Sequence, residues 1–131
     1  MKFLNWLKKL LNIEKSAENK FPGVVVGKII EISKHPNADR LQIAKVNVGT
    51  GHDLSVVCGA SNIVVGQKVP VALVGAILLN GIEIKEAEIR GVKSFGMLCA
   101  KDELGLGTDH SGIMILDEKA EVGMKFSEYN K

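Results

Sequence analysis

Two cations and four small or adaptable residues fall within eight positions of the segment IRGVKSFGM. Arg90 and Lys93 flank Gly91, so both cations can project from one glycine turn while backbone amides approach a ligand closely. Ser94 adds a hydroxyl for a phosphate or ribose oxygen, and Met97 adds a polarisable thioether for the face of a base. These residue types predict a surface that contacts phosphate and base. A plain strand, with Met97 in the core and Arg90 solvated, is the alternative interpretation.

A second group of donors lies in the segment KHPNADRL. Its proline removes a backbone donor, and Asn37 and Asp39 can bond their own backbone, which together predict a turn between two strands. Lys34, His35 and Arg40 crown that turn in this interpretation and offer donors to phosphate oxygens. The alternative is a turn that joins two strands and binds nothing.

Asn62 follows the segment VVCGAS, so it is predicted to lie on a loop after a buried strand. Its amide can both donate and accept, which allows it to read a base edge or a ribose hydroxyl. The same amide can equally bond the backbone of its own loop. Both interpretations remain open at the level of the sequence.

The sequence offers no constellation for catalysis or cofactor binding. No nucleophile-elbow pattern surrounds a serine, and neither a Walker loop nor a dinucleotide glycine fingerprint occurs. No two of the His and Cys residues are spaced like a pair of zinc ligands. A chain of 131 residues is one domain's worth and leaves no room for a large catalytic domain beside it. We therefore expect no enzymatic activity, no catalytic residue, no cofactor and no metal.

The residues around the two cysteines and the hydropathy of the chain indicate its cellular location. Cys58 and Cys99 each lie in an apolar run, which is typical of buried thiols in a reducing cytosol. No run approaches the roughly eighteen apolar residues of a membrane-spanning helix, and the start lacks the pattern of a cleavable signal. We expect a cytoplasmic protein without a membrane span.

The formal net charge of +2 conceals an uneven distribution. Residues 1–22 carry five Lys against two Glu, residues 23–101 carry nine basic against six acidic side chains, and residues 102–131 carry three against seven. A basic part and an acidic tail would orient a domain on a polyanion, whereas ordinary surface scatter is the alternative. Aromatic residues make up only 5% of the chain, which disfavours a base-stacking platform and favours recognition of folded RNA by shape and backbone.

The hydrophobic periodicity divides the chain into two parts. Apolar residues in 1–13 share about half of a helical wheel, which predicts an amphipathic helix. Residues 14–20 are polar and are typical of a linker, after which Phe-Pro-Gly ends the helical period. We therefore expect a helix with its linker over residues 1–21 and a β domain over residues 22–131.

The second part is predicted to be a five-stranded antiparallel barrel from about residue 24 to about residue 98. Its Val- and Ile-rich runs alternate with Gly, Pro, Asn and Asp turns, as in small closed barrels. We interpret residues 82–92 as a strand and residues 102–106 as a single helical turn ended by glycine. The acidic tail is expected to pack against the barrel as extra strands or loops.

Five motifs occur in a fixed order along the β domain: HPNADRL, VVCGASN, IRGVKSFGMLCA, ELGLG and DHSGI. In these motifs the chain resembles the tRNA-binding domain near the amino terminus of the β subunit of bacterial phenylalanyl-tRNA synthetase. Similar domains are appended to some methionyl- and tyrosyl-tRNA synthetases or exist as free-standing proteins. The resemblance implies an all-β, five-stranded oligonucleotide/oligosaccharide-binding (OB) fold, here with an N-terminal amphipathic helix and a short C-terminal extension. It implies that the RNA-binding residues are Lys34, Arg40, Asn62, Arg90, Lys93, Ser94 and Met97.

The function implied by the resemblance is a noncatalytic tRNA-binding module, free-standing or associated with an aminoacyl-tRNA synthetase. One alternative is the N-terminal part of a phenylalanyl-tRNA synthetase β chain; another is a chaperone-like protein-interaction relative that has lost RNA affinity. A homodimer and a peripheral membrane attachment through the Lys- and Trp-bearing helix are further alternatives. The opening FLNWLKKLL resembles the first helix of such a β chain, but the connection to the β domain is shorter. We therefore favour a free-standing protein or a short paralogue.

Overall fold

The Val- and Ile-rich runs form strands wherever one face can be buried and a Gly, Pro or Asn turn follows. The computed structural model describes residues 21–130, in which seven strands account for most of the regular structure. The strands are β1 (Val24–Lys34), β2 (Gln42–Asn47), β3 (Leu54–Cys58), β4 (Lys68–Leu73), β5 (Ala87–Ile89), β6 (Val92–Ser94) and β7 (Gly96–Leu98). A 3₁₀ turn (Asp102–Leu104) and a short α-helix (Phe126–Tyr129) lie in the tail.

Strand β1 organises a five-stranded antiparallel sheet in the order β3-β2-β1-β4-β7. Its first five residues pair with β4, and its later residues pair with β2. The pairing register shifts between Ile29 and Glu31. An irregularity of this kind bends a strand and increases its twist, so one strand can serve two neighbours as the sheet curls.

The sheet curls into a nearly closed barrel because residues 94–95 bridge its open edge. The Phe95 amide donates to the Ser55 carbonyl on β3 at 2.9 Å. The Val57 amide, also on β3, donates to the Ser94 hydroxyl at 3.0 Å, and that hydroxyl in turn donates to the Gly96 carbonyl at 3.2 Å. These bonds supply partners to an edge strand that would otherwise carry unpaired backbone groups. The predicted five-stranded, OB-like barrel is thereby confirmed.

Two hydrophobic clusters fill the molecule. One lies between the barrel strands and contains Ile29, Ala44, Val46, Val48, Val56, Cys58, Ile63, Val69, Val71 and Leu98. The other joins the start of β1 to the tail and contains Phe21, Val24, Val26, Ala72, Ala76, Leu78, Ile84, Cys99, Leu104, Leu116, Ala120 and Phe126. The tail is therefore part of the core and not an appendage.

The acidic tail packs against the barrel as expected, with one addition. Its Leu116 amide donates to the Lys68 carbonyl on β4 at 2.8 Å, and the Lys68 ammonium donates to two tail carbonyls. The sequence analysis did not anticipate the helix Phe126–Tyr129. Phe126 is fully buried, and its ring packs edge-on against Phe21 with centroids 4.9 Å apart.

The position of the fifth barrel strand differs from the prediction. Residues 82–92 were predicted to form one strand, but within this range only Ala87–Ile89 (β5) and Val92, the first residue of β6, are in strands, on the two arms of a separate hairpin. The fifth strand is β7, which begins at Gly96. A side chain at Gly96 would place its Cβ 2.8 Å from the Ala72 carbonyl oxygen, so only glycine allows β7 to approach β4 this closely.

The predicted helical turn near residue 102 is confirmed, since the 3₁₀ turn ends at Gly105 with a left-handed φ of 70°. The predicted amphipathic helix and linker of residues 1–20 lie outside the described residues. The division of the chain at residue 21 therefore stays a prediction.

Phe126→Ala is expected to lower the free energy of unfolding by about 3–5 kcal/mol, because it removes a fully buried ring that the surrounding tail cannot replace. Urea denaturation followed by circular dichroism measures the change. Val65→Ala, at a site that is 55% exposed, is the control and should stay within about 0.5 kcal/mol of the parent. A loss below about 1 kcal/mol for Phe126→Ala would contradict a tail that forms part of the core.

Candidate nucleic-acid interface

The turn after β1 and the β5–β6 hairpin are joined by a buried imidazole. His35 is only 5% exposed, and its Nε2 lies 2.8 Å from the carbonyl oxygen of Ile89. Its Nδ1 accepts the Asn37 amide at 3.0 Å. A carbonyl can only accept, so these two bonds assign the proton to Nε2. The hypothesis that His35 offers a donor to phosphate is therefore wrong, since both ring nitrogens are bonded within the protein.

A second bond joins the same two segments. The Asn37 side-chain Nδ2 donates to the Arg90 carbonyl at 3.0 Å, across 53 positions of sequence. The sequence analysis placed this amide in a local turn with its own backbone. Instead, His35 and Asn37 bond two successive carbonyls of the hairpin, those of Ile89 and Arg90. We call these two side chains the clamp.

The hairpin held by the clamp turns through two residues with left-handed backbone. Ile89 and Val92 are paired, and between them Arg90 has φ 51° and Gly91 has φ 87°. Positive φ at both positions matches the tight hairpin turn in which Asn-Gly is strongly preferred. Arg90 is the one non-glycine residue with positive φ among residues 21–130, and an L-residue there costs about 1–2 kcal/mol. A long cation thus occupies a position whose local preference is for Asn or Gly.

Three adjoining depressions lead away from this hairpin. The first, of about 470 Å³, is lined by residues 37–41 and Arg90. The second, of about 430 Å³, shares three residues of that turn and adds Lys34. The third, of about 320 Å³, shares Gly59 and Ala60 with the second and is lined by Met97 at its far side. We call the three together the groove.

The groove brings together four of the seven predicted site residues: Lys34, Arg40, Arg90 and Met97. Lys34, Arg40 and Arg90 are exposed, and Arg40 lines both of the first two depressions. Met97 is half-buried and packs partly against the core cluster that includes the tail. One surface therefore combines three cations with a soft apolar contact.

Lys93 lies on the β5–β6 hairpin but outside the residues that line the groove. It faces Glu88 in the strand register, and its Nζ lies 3.8 Å from a Glu86 carboxylate oxygen. Both partners of this ion pair are at least half exposed, so the pair contributes little to stability. The negative charge of Glu86 nevertheless offsets part of the Lys93 charge.

The two remaining predicted site residues face the protein. The Ser94 hydroxyl is buried and is used in closing the barrel. The Asn62 amide donates to the Ile113 carbonyl at 2.9 Å and accepts the Ile113 amide at 3.0 Å. Asn62 therefore bonds backbone, as one interpretation expected, but the backbone is that of a distant segment and not of its own loop. RNA contact by either residue stays a prediction: the exposed Asn62 amide keeps a second donor and a second lone pair, whereas the Ser94 hydroxyl is buried.

A cluster of charged side chains lies beside the third depression. The His110 Nδ1 lies 2.9 Å from an Asp102 oxygen, and this carboxylate raises the pKa of the imidazole above its ordinary value. Glu103 accepts the Ala100 amide at 2.8 Å. One ligand atom from each of Asp102, Glu103 and His110 lies within 4.8 Å of the others, so the three could hold a metal. Hydrogen bonding within the chain also accounts for all three, and the absence of a metal stays a prediction.

Neither cysteine is prepared to act as a nucleophile. Burial, reinforced by the nearby Glu103 charge, raises the pKa of Cys99 to about 12. Burial also raises the pKa of Cys58, which lines the third depression. A thiol with a raised pKa carries little thiolate at neutral pH. The expectation of two buried, unpaired thiols is confirmed.

Sequence reasoning missed the clamp because its bonds join segments more than fifty positions apart. The inward direction of His35 and the backbone of Gly59 and Ala60 at the centre of the groove were also missed. One sequence signal could have revealed the hairpin. Arg90 and Gly91 lie between two short segments that contain apolar residues, a pattern that fits a hairpin with a two-residue turn. Among residues 21–130 no helix has the length and apolar character needed to cross a membrane.

Comparison with known proteins decides the family. Residues 24–125 match the family described as "Putative tRNA binding domain". The chain belongs to this family. It is similar to the phenylalanine–tRNA ligase β subunit of Chlorobaculum tepidum, with 50% identity over 125 residues that cover 91% of this chain and 15% of that protein. The chain therefore spans only a small part of the curated relatives it matches.

Solved structures share the fold. The C-terminal domain of Plasmodium vivax p43 has 26% sequence identity and a TM-score of 0.57, over 80% of this chain and 58% of that one. The MetRS-related protein from Pyrococcus horikoshii has 21% identity and a TM-score of 0.58, over 81% of this chain and 89% of that one. The second likeness bears on the fold alone.

Arg90→Asn is expected to raise the free energy of unfolding by about 0.5–1 kcal/mol, because Asn adopts left-handed backbone more readily while the carbonyl bonded by Asn37 is kept. Thermal and urea denaturation measure the change. Gly91→Ala is the matched control and should destabilise, since φ is 87° there. A less stable Arg90→Asn variant would contradict the strain assigned to this turn.

Proposed function

We propose that the chain is a noncatalytic tRNA-binding module that recognises the shape and backbone of folded tRNA. The observation that carries this proposal is the convergence of Lys34, Arg40 and Arg90 on one groove, with Arg90 held at a strained backbone position. Membership of the tRNA-binding domain family supports the choice of ligand. No catalytic residue is assigned, and the absence of catalysis stays a prediction.

The chemistry of the groove suits phosphate. An arginine guanidinium offers several donors in a planar fork that matches two phosphate oxygens, whereas a lysine acts as a mobile point charge. Arg40 and Arg90 would therefore fix the position of the RNA backbone, and Lys34 would add attraction with little geometric demand. Contacts of this kind set the register of a nucleic acid without reading its sequence.

The aromatic residues of the described chain support recognition by shape. Phe21 and Phe126 are buried in the core, and Phe95 and Tyr129 are half-buried. Within residues 21–130 no Phe, Tyr or Trp ring lines the groove. Binding of unpaired strands usually depends on rings that stack successive bases. A groove with cations and one thioether instead suits a folded RNA whose phosphates are already arranged in space.

The module acts with an aminoacyl-tRNA synthetase, in trans or as part of a phenylalanyl-tRNA synthetase β chain. The named relatives support this association, because they are β subunits of that ligase. Such a role places the chain in the cytoplasm, where tRNA is charged. There it would raise the local concentration of tRNA near the enzyme.

A second candidate function is protein contact, and one observation favours it. Val74, Ile77, Leu79 and Ile82 fall within nine residues, and each side chain is more than half exposed. Clustered apolar exposure of this kind is typical of interaction surfaces. A synthetase or a second copy of the chain would cover it; co-purification identifies the first, and sedimentation at increasing protein concentration identifies a homodimer.

The double variant Arg90→Ala, Lys93→Ala is expected to weaken binding of all tRNA species alike. It should also flatten the slope of log affinity against log salt by about 1.5 when both cations contact phosphate, since each lost phosphate contact removes roughly 0.7–0.9. Titrations at several salt concentrations measure both quantities, and the single variants divide the effect between the two cations. We expect the larger share from Arg90, because Lys93 is already paired with Glu86.

The matched control for that experiment is Lys119→Ala, Lys125→Ala, which removes the same charge from the acidic tail. It should leave the slope nearly unchanged, because neither side chain lines the groove or belongs to the β5–β6 hairpin that carries Arg90. Parental binding by the Arg90, Lys93 variant at low salt, with the fold intact, would place the site elsewhere. Protein contact would then become the leading function.

Several tRNA species are expected to bind with similar affinity, and single-stranded oligomers more weakly, because phosphate contacts carry no sequence information. Competition against one labelled tRNA, with duplex RNA as a further competitor, measures the order. A strong preference for one short unpaired sequence would contradict recognition by shape.

A further inference from the structure

We infer that the clamp, His35 with Asn37, positions Arg90 for the RNA while touching no ligand itself. This inference rests on the proposed function and assigns a role to two residues outside the seven that the resemblance names as RNA-binding. It makes the affinity of the groove depend on two uncharged hydrogen-bonding side chains as well as on its cations.

The hairpin that carries Arg90 is anchored at its base, where Ser94 of β6 accepts the Val57 amide of β3, but its tip lies beyond that anchor. Strands β5 and β6 are three residues each and form their own two-stranded sheet. Ala87 and Glu88 of β5 are exposed, and Ile89 is half-buried. An isolated two-stranded hairpin is at best marginally stable in water, so its tip needs support from elsewhere.

The clamp supplies that support at the tip. Asn37 bonds the carbonyl of Arg90 itself, and His35 bonds the carbonyl of the preceding residue. The His35 ring is in turn fixed by the backbone amide of Asn37, so the two side chains are held in one short segment of the turn. A Cβ on Gly91 would lie 3.4 Å from the Asn37 Nδ2, which shows how closely the amide is seated against the turn.

The clamp also joins the cations to each other. His35 and Asn37 belong to the turn that ends in Arg40 and follows Lys34, while their partners belong to the hairpin of Arg90. The first depression is lined by this same turn and Arg90. The clamp therefore fixes the spacing between cations that come from distant parts of the chain. Such a fixed spacing would raise the affinity for a backbone of regularly spaced phosphates. A cation that is already ordered loses less conformational entropy on binding.

Asn37→Ala tests the inference, because it removes the bond to the Arg90 carbonyl without changing any charge. We expect weaker tRNA binding and a salt slope flattened by about 0.7–0.9, as if one phosphate contact were lost. In an Arg90→Ala background, Asn37→Ala should have no further effect on the slope. A loss that adds fully to that of Arg90→Ala, or an unchanged slope, would overturn the inference.

Asn80→Ala is the matched control. The Asn80 side chain also supports an exposed turn, by accepting the Ile82 amide at 3.0 Å, but it lies outside the groove. Its removal should leave tRNA affinity and salt slope at the parental values. A change equal to that of Asn37→Ala would mean that the slope reports general loosening, and the positioning role would be wrong.

Two substitutions of His35 separate its bonds. His35→Gln keeps a donor near Nε2 for the Ile89 carbonyl, whereas His35→Asn keeps an acceptor near Nδ1 for the Asn37 amide. Because the hairpin is held through Nε2, the Gln variant should retain more of the salt slope than the Asn variant. The reverse order would contradict the inference for His35. If either variant fails to fold, the Asn37 series still decides.

Amide hydrogen exchange tests the clamp without RNA. Asn37→Ala should speed exchange at Gly91 and Val92, and Asn80→Ala should not. Asn37→Ala could speed exchange while Arg90→Ala leaves the salt slope of tRNA binding unchanged. That pair of results would mean that the clamp exists but the proposed RNA site is wrong. Unchanged exchange at the hairpin would overturn the clamp whatever the RNA result.

Discussion

The hydrogen bond from the Val57 amide to the Ser94 hydroxyl is the interaction on which the arrangement depends. Together with the bond from Phe95 to Ser55, it converts an open edge of the sheet into a nearly closed barrel. Removing a partner from a buried amide leaves it unsatisfied, at a cost of about 1–3 kcal/mol. Residues before Ser94 form the hairpin of Arg90, and residues after it form the fifth strand. Closure of the barrel and presentation of the cation are therefore two consequences of the same short segment.

At the tip of the hairpin, the residue type that the backbone conformation prefers differs from the charged residue that the chain places there. Its backbone favours Asn at position 90, yet the chain places there a long cation with φ 51°. Backbone strain of this kind persists only where the surrounding structure determines it, and it is concentrated at functional sites. Here the surrounding structure is the clamp, which bonds the carbonyls of Ile89 and Arg90. The strain and the clamp have a common explanation if the direction of the Arg90 side chain matters.

The sequence predicted the barrel, the buried thiols and the packed tail, because alternation of apolar residues and turn chemistry are local properties. It misplaced the fifth strand, since Gly96 is required by the Ala72 carbonyl of a distant strand and no local pattern records that approach. The same limit applies to the site. Arg40 and Arg90 could be recognised as exposed cations, but not as neighbours on one groove. His35 was assigned to phosphate because a histidine in a turn looks exposed, whereas a bond to a residue 54 positions away buries it.

The groove has an electrostatic direction that explains how a chain of low net charge can attract a polyanion. Its first two depressions carry the three cations Lys34, Arg40 and Arg90 against the carboxylate of Asp39, whereas Glu103 lines the third together with Met97. His110, beside Glu103, offsets that negative charge when protonated, and Asp102 favours its protonated form. Under the proposed function, the three cations would attract a phosphate to the first two depressions, and Met97 would contact a less charged part of the RNA. Glu103 belongs to a tail whose apolar residues complete the core, so one segment contributes both to the fold and to the charge of the groove.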